Sequence, residues 1–269
     1  MSERITNKDV TAEVHNRWSR WVFLVLFCVG CGMVIAEIYT GWAHHGWFTA
    51  APDYNDDMSV ARKWLADGSY FLPTQTGGPH QWVQGDVLYP PVALWLFVPF
   101  SFLPMVAWFA IPFTIIVTGL WKLHPALWAV AIISLLMCEP NALVEVVSGN
   151  PMVWFVAIEF AALSWGTPAS LGLFKPSLFP FVFVGIRTRR WWMCAGLLAL
   201  LSLPFLSLNL TWVRVVMDTR GRSGLSYNID EFAYALIPYI AWLGSIRAKQ
   251  HVTGPKSLWT RLRLLPHGG

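Results

Sequence analysis

Polar and apolar positions along this chain are sorted into long blocks rather than interleaved. Residues 1–20 are polar and carry Arg4, Lys8, Arg17 and Arg20. Trp21–Tyr39 is then an apolar run long enough to cross about 30 Å of hydrocarbon. A polar stretch follows from Thr40 to Tyr89. Beyond it, apolar runs cover Pro91–Leu103, Met105–Leu120, Pro125–Met137, Pro151–Trp165, Pro168–Ile186, Trp191–Leu208 and Phe232–Ile246, punctuated by prolines and glycines. The pattern predicts an all-α polytopic membrane protein of about eight transmembrane helices with a long first external loop, residues 40–89. Inside that loop, Asp56–Leu65 reads as a short amphipathic helix lying on the membrane surface. The expected organisation is a basic tail over 1–20, a transmembrane body over 21–246 and a second basic tail over 247–269.

Charge sets the expected orientation. Lys and Arg accumulate on the cytoplasmic side of membrane proteins. Alternating sides from a cytoplasmic N-terminus places Arg187, Arg189, Arg190 and the tail residues Arg247, Lys249, Lys256, Arg261 and Arg263 inside as well. Hydropathy alone set the number of spans, so the charges check it independently. The expectation is a multi-pass protein of the plasma membrane with both termini cytoplasmic. The loop 40–89, the turn at Lys122 and His124, the turn Ser164–Thr167 and the loop Asn209–Asp230 face outward. The turn Ser148–Pro151 falls on the cytoplasmic side unless it re-enters the bilayer.

Composition agrees. Hydrophobic residues make up 55% of the 269 and charged residues 13%, with a mean hydropathy of +0.48; a soluble domain carries about 25% charge. Many of the 17 Trp flank the apolar runs, Trp18, Trp21, Trp42, Trp121, Trp165, Trp191 and Trp192 among them, as membrane interfaces favour. The net charge of +4 is explained by this topology better than by nucleic acid. Cys28, Cys31, Cys138 and Cys194 lie in or beside apolar runs and read as packing residues, without a disulfide framework or a metal site. No zinc-protease, nucleotide-binding or serine-hydrolase motif is present, so no metal and no cofactor is expected.

Two features could carry chemistry. The external loop gathers carboxylates beside a membrane helix, and a transferase needs one as a base for an attacking hydroxyl. Asp53 is the first candidate, with Asp56 and Asp57 as alternative bases. Lys175, in Gly172-Leu-Phe-Lys175-Pro176, is a cation inside an apolar run, which costs at least ~2.5–3.5 kcal/mol unless it is partnered. It can meet an anion such as a lipid phosphate, snorkel to the interface, or pair with Glu159 on the preceding span. Arg214, Asp218, Arg220 and Arg222 form a charged outer segment in which Arg220 and Arg222 are candidates for a phosphate. Tyr54, Tyr89, Asn150 and His124 complete the candidate substrate site.

Several of these pieces occur in an order that resembles glycosyltransferase family 87. Those are membrane enzymes of the GT-C class that use polyprenyl-phosphate sugars. The pieces are Asp53-Tyr54, Ala61-Arg62-Lys63-Trp64-Leu65-Ala66-Asp67-Gly68, Tyr70, and Tyr89-Pro90-Pro91 before an apolar run with Pro99 and Leu103-Pro104. Ser148-Gly149-Asn150-Pro151 is similar to the family's Gly-Gln-x-Asn turn, although Asn150 replaces the Gln and Met152 the Asn. Gly172 to Pro176 is similar to its Gly-x-x-x-Lys-Pro segment, and Arg189-Arg190-Trp191 to the basic turn after it. The resemblance implies a GT-C-like fold, Asp53 as catalytic base and Lys175 as the ligand of the donor phosphate. It implies a sugar donor carried on polyprenyl phosphate, with mannose the commonest sugar and a pentose in some relatives. The acceptor is a cell-envelope glycolipid or glycan. Relatives are longer, so a partner membrane chain is one expectation. A catalytically degenerate subunit or a small transporter binding a lipid carrier is the alternative function.

Overall fold

The first described helix shows how local rules place the site. Pro52 occupies the first helical turn, where its missing N–H costs nothing and its fixed φ suits a helix start. Asp53 in the same turn complements the helix dipole. Gly68, with φ 76°, closes the helix by donating to the Trp64 carbonyl. The result is α1, Pro52–Asp67, whose Tyr54, Asp57, Met58, Val60 and Ala61 are buried. The predicted amphipathic helix is therefore real but four residues longer at its N-terminus, and its apolar face packs on protein.

The computed structural model describes Trp21 and residues 51–83, 85–137, 145–220 and 229–253, and these are mostly helical. The first predicted span beyond Trp21, Cys28, Cys31, His44, His45, Cys138, the tail 1–20 and the chain beyond Thr253 lie outside the described residues.

After α1 the loop is ordered by buried Gln75, whose side-chain oxygen accepts from the N–H of Leu72 and of Val87 while its amide donates to the Val87 carbonyl. A two-residue strand β1, His80–Gln81, pairs in parallel with β2, Thr219–Arg220. His80 sits 3.2 Å from the Asp86 carboxylate. The body comprises α2 (Leu94–Phe100, entered through a 3₁₀ turn at Pro91–Ala93), α3 (Met105–Leu123), α4 (Leu127–Met137) and α5 (Met152–Trp165). Two 3₁₀ segments follow, Ala169–Phe174 and Pro176–Phe183, then α6 (Arg189–Ser202), α7 (Leu206–Asp218), α8 (Ile229–Ala235) and α9 (Ile237–Thr253).

Among the described residues two helices are long and apolar enough to cross a membrane, Met105–Leu123 and the continuous stretch Arg189–Asp218. The second presents Trp192, Met193, Leu197, Leu200, Leu206 and Leu210 outward. An apolar face of this length needs a covering other than water.

Three expectations are corrected. Pro91–Leu103 and Pro168–Ile186 are not single crossing helices. Seven residues of α2 rise only about 10 Å, and the second run is broken at Lys175, whose φ −119° and ψ 80° are not helical. Hydropathy cannot separate such broken segments from a span because their side chains are equally apolar. The expected outer loop from Asn209 is helical through Asp218, because Pro204 falls in a 3₁₀ linker, Leu203–Phe205, that joins α6 to α7 rather than ending the helix. Finally, the turn Ser148–Pro151 does not lie on the face opposite Asp53. The Tyr54 N–H donates to the Ser148 carbonyl at 3.0 Å, and Trp108 Nε1 donates to the Gly149 carbonyl at 2.8 Å. At the far ends of the same helices, the Lys122 ammonium stands over the Trp165 ring at 5.4 Å. The turn 148–151 and the turn 164–167 thus bracket α5 from opposite ends, with Asp53 at the first.

Candidate functional site

The site is assembled at the end of α5 where three chain segments meet. Gly149 lets α1 approach: its φ is 75°, and a Cβ there would lie 2.7 Å from the Tyr54 Cβ. Asn150 then lies two residues before the first residue of α5, with Pro151 between. Its Oδ1 accepts from the Met152 N–H at 2.9 Å, satisfying one of the unpaired donors at the helix start. On the other side, Gly172 admits the first 3₁₀ segment against α5, since a Cβ would meet Phe155 at 2.8 Å and Val182 at 2.9 Å. That close fit, followed by the break, delivers Lys175 to the same level.

The polar groups form one connected chain. Asp53 Oδ2 accepts from Ser148 Oγ at 2.8 Å and from Asn150 Nδ2 at 3.2 Å. Lys175 Nζ donates to Asn150 Oδ1 at 3.0 Å, to Glu231 Oε1 at 3.1 Å and to Tyr89 Oη at 3.4 Å. Tyr89 also donates to Asn150 Oδ1 at 3.4 Å and turns its ring face to the ammonium, 5.2 Å from the centroid. Asn150 therefore links acid to ammonium through a single amide. Its orientation is set by charge: the NH₂ faces a carboxylate and the oxygen faces a cation, and the reverse would oppose both.

Lys175 is fully buried, at 0% exposure, and Glu231 is 5% exposed. A buried cation requires such a partner. Of the alternatives open to Lys175, pairing with Glu159 is not the one realised. Glu159 lies seven residues beyond Met152 on α5, about 10 Å further along the axis, where it accepts from Tyr239 at 2.8 Å. Tyr239 also contacts the Phe181 carbonyl.

The alternative bases differ from Asp53 in environment. Asp57 lies one turn on along α1 and is buried, and its Oδ2 has no hydrogen-bond partner among the described residues. Burial first, and then the Asp53 and Asp56 charges, push its carboxyl well above the usual range, opposed by Lys175. Asp56 is half-buried, and its carbonyl caps the Ser59 hydroxyl. Tyr54 packs its ring on Trp108 at 5.8 Å. Burial raises its phenol, and Arg62 partly offsets that.

The structure thus brings together Asp53, Tyr54, Asp57, Tyr89, Asn150 and Lys175. It does not bring in His124. Trp108 touches the site, and His124 lies sixteen residues further along α3, about 24 Å away along a helix axis; there its ring packs near Trp121. The turn that holds it lies at the other end of α3 from the site, whereas the expected topology sets it on the side of Asp53. Arg220 pairs with Gln81 through the β2 backbone, and Arg222 lies outside the described residues. Sequence reasoning missed Glu231 and Ser148. Glu231 carries a usable signal, as an acid between the loop that ends at Asp230 and the apolar run that starts at Phe232. No family model, curated protein or solved structure matches the chain, so the reading that follows is carried by the connected polar chain from Asp53 through Asn150 to Lys175.

Proposed function

We propose that the protein is a membrane glycosyltransferase of the family 87 type, moving a sugar, mannose in the first instance, from a polyprenyl-phosphate donor to a cell-envelope glycolipid or glycan. The observation that carries this is the meeting of a partly exposed carboxylate and a buried ammonium across one amide. In the reaction, an acceptor hydroxyl attacks the anomeric carbon and passes its proton to Asp53. The bond from that carbon to the phosphate oxygen breaks, and its electron pair leaves with the phosphate. Lys175 meets the charge that grows there; fixed charges aimed at such a site are often the largest catalytic contribution. Asp53 is preferred to Asp57 as base because two donors hold its carboxylate and it reaches solvent, whereas burial favours the protonated form of Asp57.

The membrane arrangement we propose has six crossings: the first apolar run, α3, the segment containing α4, α5, α6 with α7, and α8 with α9. The runs around Pro91–Phe100 and Ala169–Phe183 dip in and return. Removing two crossings from eight keeps both termini cytoplasmic. It also moves Lys122 to the side of Arg187, Arg189, Arg190 and Arg247, so the positive-inside rule is better obeyed. The site then opens outward. Reentrant backbone at membrane depth occurs where it is buried in protein, as Lys175 is.

Proteoliposomes charged with a radiolabelled polyprenyl-phosphate mannose and membrane acceptor extract test the function. Native chain is expected to transfer the label and Asp53→Asn to bind donor without transfer. Equal transfer by both would remove Asp53 as base. Donor binding without turnover by the native chain would favour a degenerate carrier-binding subunit.

A further inference from the structure

The ammonium of Lys175 has three N–H donors, and three protein acceptors already take them: Asn150 Oδ1, Glu231 Oε1 and Tyr89 Oη. A phosphate can bind this ammonium through a hydrogen bond only if one of the three withdraws. Asn150 is anchored on both sides, by Asp53 and by the Met152 N–H. Loss of Tyr89 would leave two anions, Glu231 and phosphate, on one buried cation. Loss of Glu231 exchanges one anion for another and preserves the charge balance that a buried ammonium demands.

Glu231 is also the least committed of the three. Among the described residues only one of its oxygens is bonded; Oε2 is buried without a hydrogen-bond partner, a poor state for a carboxylate at 5% exposure. It is carried on α8, a seven-residue helix separated from α9 by a turn at Leu236. We propose that Glu231 is a built-in counter-anion seated where the lipid phosphate binds, and that the phosphate enters by displacing it from Lys175. The inference rests on the reading of Lys175 as the phosphate ligand. It adds a residue to that subsite and a condition for its occupancy: an anionic lipid can take the place of the Glu231 carboxylate on Lys175, and a neutral one cannot.

Binding of a short-chain polyprenyl phosphate and of the matching polyprenol to the detergent-solubilised full chain tests this. Native protein is expected to prefer the phosphate. Glu231→Gln keeps an acceptor for Lys175 but removes the competing charge. It is expected to melt at a lower temperature when empty, to bind the phosphate about tenfold more tightly than native protein, and to bind the alcohol unchanged. The phosphate-induced rise in Tm should therefore exceed that of native protein. Glu231→Asp, which retains the charge with a shorter reach, provides a milder variant and is expected to gain affinity in the same direction. Phosphate binding by both variants no tighter than native, with alcohol binding intact, overturns the exchange. A native protein that does not distinguish phosphate from alcohol overturns the phosphate role of Lys175 itself, and the exchange with it.

Discussion

Asn150 is the point at which the account is most exposed, because one amide holds the acid, the ammonium and the start of α5. Asn150→Asp is nearly isosteric. It keeps an oxygen for Lys175 and for the Met152 N–H, yet replaces the NH₂ that Asp53 Oδ2 accepts from at 3.2 Å with a second carboxylate oxygen. A charge-assisted hydrogen bond of about 1.5–3 kcal/mol is lost there. It gives way to repulsion between two carboxylates, of the kind that keeps one of a pair protonated. The extra acid can pair with Lys175, so folding should survive. Catalysis should not: a base moved or protonated at the wrong pH forfeits most of the roughly 10²–10⁴-fold that base catalysis supplies. The assay is the pH–rate profile of sugar transfer in proteoliposomes for native protein, Asn150→Asp and Asn150→Ala. The expected result is a rate about 10²-fold lower for Asn150→Asp at neutral pH, with the acid limb of its profile displaced to higher pH, and a smaller displacement in the same direction for Asn150→Ala, which loses the hydrogen bond to Asp53 without adding a charge. An Asn150→Asp protein with native rate and native profile would refute the amide orientation and the link it makes.

Other expectations follow from the same geometry. The carboxyl of Asp57 is held above its ordinary value, so the folded state binds a proton that the unfolded state has released. Its contribution to stability therefore declines as pH rises from the ordinary carboxylate value of about 4 toward the raised one. Asp57→Asn should flatten that decline and raise the Tm in detergent near neutral pH. Gly149→Ala puts a Cβ 2.7 Å from the Tyr54 Cβ at φ 75°, and should cost on the order of 1–3 kcal/mol together with transfer activity. Gly196→Ala, where a Cβ meets open space within α6, should leave both intact. Lys175→Met or Glu231→Leu alone should destabilise by about 3–5 kcal/mol, and the double variant by less than either, as read from thermal unfolding.

Much of this arrangement is legible in the sequence. The helical character follows from block hydropathy, and the pairing of proline start with glycine stop marks α1 within a loop that composition alone would leave formless. The ordered pieces around Asp53, Tyr89, Asn150 and Lys175 pointed to residues that the fold does gather. What could not be read was depth. An apolar 3₁₀ pair and an apolar α-helix have the same side-chain chemistry, so the break at Lys175 is invisible in the hydropathy of its run, and strict alternation places the turns at Asn150 and His124 the wrong way round relative to Asp53. The outer loop expected from Asn209 is helical as far as Asp218, because the polar residues of that stretch lie on a helix that continues past the 3₁₀ turn at Pro204. Glu159 on the neighbouring run offers itself as a protein partner for Lys175 because sequence proximity is visible and the return of a distant helix carrying Glu231 is not.

The central claim is that an anionic lipid carrier seats its phosphate on Lys175 with the sugar facing Asp53. A cryo-EM structure of the full chain in nanodiscs with a non-transferable polyprenyl-phosphate sugar tests it most directly. The predicted result is a phosphate oxygen about 3 Å from Lys175 Nζ, Glu231 withdrawn from the ammonium, and the anomeric carbon on the Asp53 side of Asn150. A phosphate bound elsewhere, with the contacts of Lys175 to Glu231 and Asn150 unbroken, would contradict it.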